Sequence, residues 1–62
     1  MLLAIEIAIL DIIDEFGPST LEDISIHTFC PLNELIQILE KLQDKDLIYS
    51  EKYENIIKYY NK

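Results

Sequence analysis

Apolar positions set the first element. Leu2, Ile5, Ile9, Ile12, Ile13 and Phe16 recur at the three- and four-residue spacing of one helical face, which predicts a helix over about residues 2–16. Gly17 and Pro18 end it. In "STLED", Ser19 or Thr20 is followed three residues later by Glu22 or Asp23. That capping-box pattern starts a second, short helix over about 20–27, with Leu21 and Ile24 toward the core. "HTFCPLNEL" reads as a turn, with Cys30 at the N-cap and Pro31 at the first helical position, where no amide hydrogen is needed. A third helix follows over about 31–45, lined on its core side by Leu32, Leu35, Leu39 and Leu42. Asp46 falls where the chain closes in a left-handed turn. The pattern then changes. "LIYS" and "IIKYY" are β-branched and aromatic, and "EKYEN" separates them as a five-residue loop, which predicts a hairpin over about 47–60. The expected fold is α+β and mostly helical, a single domain over residues 1–62 with three helices followed by a two-stranded hairpin.

Size makes such a domain dependent on support. A chain of 62 residues buries only about 60% of the surface it exposes when unfolded. The single cysteine can form neither an internal disulfide nor a zinc site, so a partner chain is the expected support. "MLLAIEIAIL" lacks a basic leading segment, Glu6 interrupts it, and it falls short of the ~20 apolar residues a membrane span requires. These features predict a cytoplasmic protein with no membrane association.

The segment "STLEDISIHTFCPLNELIQILEKLQDKDLIYS" resembles the common core of the winged helix-turn-helix family. It has a threonine-led second helix, a turn, a proline-started third helix with spaced leucines, then a charged pair and an apolar strand. The likeness extends over about residues 2–60. Asp46 stands where the family usually has glycine. The resemblance implies a third helix that enters the major groove of duplex DNA and a hairpin that acts as a wing.

Charge points elsewhere. The chain has twelve acidic residues, five lysines and no arginine, a net charge of −7. Residues 1–31 hold six acids and no lysine. The face of the third helix opposite its leucines carries Asn33, Glu34, Gln37, Glu40, Lys41 and Asp44, a net of −2. Its carboxylates would meet phosphates or purine acceptors in a groove. Asn33 and Gln37 could each read an adenine. Lys41, Lys45, Lys52 and Lys58 could contact phosphates, a modest set beside the roughly 6–10 of strong DNA binders. Three readings of this face stand side by side: a solvated surface, a protein-binding surface and a DNA-reading one.

Helix one carries a second apolar stripe, Leu3, Ile7 and Leu10, beyond its core face. Such a stripe fits a homodimer or partner contact, with Tyr59 and Tyr60 as neighbouring candidates. Alternatively, the hairpin folds back over it within one chain. His27 and Cys30 read as structural residues, and the sequence has no phosphate loop and no metal-ligand cluster. The chain is therefore expected not to be an enzyme, to use no cofactor or metal, and to bind no small molecule. Two functions remain. One is a small regulator acting through protein contacts, including imitation of a nucleic acid. The other is a dimeric transcriptional regulator that binds double-stranded DNA.

Overall fold

The computed structural model describes all 62 residues. Three helices are followed by an antiparallel hairpin: α1 (Ala4–Phe16), α2 (Leu21–Thr28), α3 (Leu32–Asp44), β1 (Ile48–Tyr53) and β2 (Ile56–Asn61). This is the expected α+β layout, and it is compatible with a winged helix. No helix is long and apolar enough to cross a membrane.

The core is small and aliphatic. Ile9 and Ile13 from α1, Ile24 from α2, Leu35, Leu39 and Leu42 from α3, and Ile48 from β1 are its buried members. Two residues expected in it are instead exposed, Phe16 and Leu32. Each lies at an end of its helix, where the neighbouring elements no longer cover it. Phe16 stacks at a tilt on His27, with ring centroids 4.8 Å apart. Ile38, absent from the expected set, packs against the core from α3.

The helix ends follow local chemistry. Thr20 caps α2 as expected: its Oγ1 accepts from Asp23 N at 3.1 Å, and Asp23 Oδ2 accepts from Thr20 N at 3.4 Å. The N-cap of α3 is Pro31, not Cys30, so the helix starts one residue later than the proline rule implies. The Cys30 carbonyl is occupied, accepting from Ser25 Oγ at 2.7 Å. At the other end Asp46 is left-handed as expected (φ 64°). Leu47 N donates to Leu42 O at 3.1 Å and Asp46 N to Gln43 O at 2.9 Å, a Schellman closure that turns the chain into β1.

The hairpin loop is shorter than the sequence implies. Only Glu54 and Asn55 form it, at φ 49° and 69°. Two consecutive left-handed residues make a type I′ turn, whose twist matches that of the strands. "EKY" is therefore strand, with Glu51 opposite Lys58 and Tyr53 opposite Ile56. The hairpin is tied to the helices at three points. Ser19 exchanges backbone hydrogen bonds with Tyr59 at 2.8 and 3.2 Å, holding the start of α2 against β2. Gln43 Nε2 donates to Ser50 Oγ at 3.1 Å. Asn61 Nδ2 donates to Leu10 O at 3.0 Å.

Candidate interaction surface

The side chains on the outer side of α3 share one environment. Asn33, Glu34, Gln37, Glu40, Lys41 and Asp44 are all exposed, held outward because Leu35, Leu39 and Leu42 fix the opposite side in the core. The lysines are less free than their number implies. Lys45 Nζ lies 3.0 Å from Glu6 Oε2 and 3.3 Å from Oε1, and Lys62 pairs with Asp46. Lys41, Lys52 and Lys58 make no ion pair. Lys41 projects from α3, while Lys52 and Lys58 sit on the two hairpin strands.

Glu6 takes a different place from the one its sequence neighbours suggest. It is buried, although it lies in an apolar run at the surface-facing start of the chain's first helix. Its Oε1 accepts from Leu3 N at 2.8 Å, which supplies the carboxylate half of a capping box at the start of α1; Leu3, at the N-cap, has no polar side chain for the other half. The Leu3 N–H, then the hydrogen bond and charge of Lys45, hold the Glu6 carboxyl below the usual carboxylate range against the opposing effect of burial. Sequence spacing gave no sign of this pair, because its partners are 39 residues apart.

The stripe on α1 is divided. Leu3 and Ile7 are 61% and 47% exposed, but Leu10 is half-buried and packs against the core beside β2. The two tyrosines proposed to join it also part company. Tyr59 packs against the core. Tyr60 stacks on Tyr49 on the outer side of the hairpin, with centroids 5.0 Å apart and planes 9° from parallel. Burial, then the charges of Glu40 and Glu22, push the Tyr59 phenol up; burial and Glu51 do the same for Tyr60.

Apolar residues not expected at the surface lie along the turn and α3. Phe29 is 92% exposed, and Leu32 and Ile36 are 43% and 44% exposed. Phe29 closes α2 in the left-handed region (φ 56°, ψ 26°), a conformation rarely taken by a bulky residue. The sequence offered one signal for Ile36, which falls outside the leucine register of α3. A scan against protein-family models matches none, and a search of curated proteins returns no match.

Proposed function

We propose that this chain is a small acidic winged-helix regulatory protein that acts mainly through protein association, as an adaptor or through a surface that imitates a nucleic acid. The observation that carries this reading is the charge left on the helix-and-wing surface. Two of five lysines are engaged by carboxylates of the same chain, and three remain for phosphates. Each neutralised phosphate contributes to affinity by counterion release, so three give little. The net charge of −7 repels a polyanion before contact. Exposed carboxylates on α3 suit a basic partner instead.

The layout itself favours a second reading, direct binding of double-stranded DNA by a dimer through α3 and the hairpin, with Lys41, Lys52 and Lys58 as phosphate contacts. A fluorescence anisotropy titration of the wild type and the Lys41→Ala/Lys52→Ala variant against mixed-sequence duplex separates the two. Protein association predicts no salt-sensitive binding by either chain. Wild-type binding that the double substitution abolishes would establish the DNA-reading alternative.

Self-association is the further part of this proposal. Leu3 and Ile7 are its exposed anchors on α1. Four such side chains across a two-fold contact contribute at most about 6–12 kcal/mol, against an association cost of about 4–15 kcal/mol. Any dimer therefore draws on neighbouring surface as well. Sedimentation velocity across concentration measures it: Leu3→Ser/Ile7→Ser lowers the dimer fraction if α1 is the interface and leaves it unchanged otherwise.

A further inference from the structure

Charge keeps a second copy of this chain off most of its surface. The net charge is −7, and a large net charge of one sign opposes association between copies. α1 holds Glu6, Asp11, Asp14 and Glu15 and no cation. Ile7, Asp11 and Asp14 fall at helical spacing on one side, so a contact through the exposed Ile7 brings carboxylates of both copies together. The outer side of α3 carries three carboxylates and one lysine.

The outer face of the hairpin differs. Side chains alternate between faces along a strand. The register therefore places three facing pairs on one side: Tyr49 with Tyr60, Glu51 with Lys58, and Tyr53 with Ile56. Ile48 and Tyr59, on the other side, belong to the core or pack against it, so these three pairs point away from it. Tyr49 and Tyr60 stack across the strands with centroids 5.0 Å apart. Tyr53 is 76% exposed and Ile56 53%. Glu51, Tyr53, Ile56, Lys58 and Tyr60, among others, line a shallow hollow of about 520 Å³. One acid and one base leave this face electrically balanced. Glu51 and Lys58 stand opposite each other in register, yet neither forms an ion pair within the chain. Both charges remain free for a partner.

The three pairs are complementary to themselves. Consider a second hairpin set face to face with the first, about a two-fold axis parallel to the strands. The axis exchanges the strands at each level, so β1 of one copy lies over β2 of the other. Tyr49 then faces Tyr60 of the second copy, Glu51 faces its Lys58, and Tyr53 faces its Ile56, each contact occurring twice. An axis across the strands would instead set Glu51 on Glu51 and Lys58 on Lys58, and like charges so placed oppose binding. Charge therefore selects the first arrangement. Sheets pack about 10 Å apart and within about 30° of aligned, near enough for these side chains to meet.

We propose that the outer face of the hairpin, formed by Tyr49, Glu51, Tyr53, Ile56, Lys58 and Tyr60, is a self-complementary contact for a second copy of this chain. The inference rests on the self-association part of the proposed function and assigns its contact to the hairpin, with α1 as the rival. The tyrosines supply large, stiff contact area with a polar tip. The two Glu51–Lys58 pairs fix how the copies align.

Sedimentation velocity across concentration tests it, with circular dichroism to establish that each variant is folded. The wild-type chain is expected to dimerise. In a dimer, Glu51→Lys sets lysine against Lys58 twice, and Lys58→Glu sets carboxylate against Glu51 twice. Each substitution alone is expected to raise the dissociation constant about tenfold or more. An equimolar mixture of the two variants restores both attractive pairs, so a heterodimer is expected at the concentrations at which the wild type dimerises. Tyr53→Ser, at a largely exposed position, is expected to weaken the dimer without a change of charge, and Leu3→Ser/Ile7→Ser to leave it intact. A dimer indifferent to both charge reversals and to Tyr53→Ser, or charge-reversed variants that stay monomeric when mixed, overturns the proposal. If Leu3→Ser/Ile7→Ser dissociates that dimer instead, self-association through α1 stands and this inference alone falls. A wild-type chain that stays monomeric at high micromolar concentration removes both.

Discussion

Single residues carry the sharpest physical contrasts in this chain. Phe29 takes a left-handed conformation that asparagine or glycine adopts at lower cost. Phe29→Asn is expected to raise stability by up to about 1–2 kcal/mol, read as an upward shift in thermal midpoint, because the ring is almost wholly exposed and its loss costs little burial. A fall in midpoint would show that the ring is structural. Glu6 makes the complementary case. Its folded-state pKa lies below its unfolded value, so its hydrogen bonds and ion pair stabilise the fold above the ordinary glutamate pKa of about 4.3. That contribution disappears as pH falls below about 4.3 and through the folded value. Glu6→Gln is expected to flatten the loss of stability on acidification, measured by thermal denaturation from about pH 7 to pH 3. An unchanged pH profile would mean that the Glu6–Lys45 pair contributes nothing to acid sensitivity.

At the scale of elements, the breaks in the chain follow backbone chemistry. Gly17 ends α1 at φ 82° and ψ −167°, a region open essentially to glycine alone. No atom lies within 4 Å of a Cβ added there, so Gly17→Ala tests backbone strain without a clash. It is expected to cost about 1–3 kcal/mol in chemical denaturation, and a neutral result would contradict a conformational role for this glycine. The number and order of elements are readable from the sequence because α1 and α3 are amphipathic and Thr20 and Asp46 are local signals. The two-residue loop is hard to read in the sequence because Glu54 is an uncommon I′ residue and Glu51 and Lys52 have little β propensity. Leu32 and Phe16 obey the helical period but lie beyond the reach of the packed core. Periodicity identifies the side of a helix, whereas cover depends on how far the neighbouring elements extend. The Glu6–Lys45 pair depends on that packing and leaves no trace in spacing.

The whole molecule combines a small core with a large excess of negative charge. Its buried hydrophobic set comprises seven side chains, and a large-to-small change at the centre of such a core costs about 2–5 kcal/mol. Leu39→Ala is therefore expected to leave little or no cooperative unfolding transition by circular dichroism, and retention of a full transition would show that the core has unrecognised reserve. The charge bears on function rather than on fold. Helices and hairpin lie in an arrangement compatible with a winged helix, while the outer side of α3 exposes three carboxylates and one lysine. Fold sets where a surface lies, and its residues set what that surface accepts. The central claim is that this surface serves proteins and not DNA. Backbone amide spectra of the labelled chain, recorded during titration with mixed-sequence duplex at about 50 mM salt, test it most directly, since electrostatic attraction is strong there. The account predicts no shifts at Asn33, Gln37, Lys41, Lys52 or Lys58; saturable shifts at these positions that vanish as salt rises would contradict it.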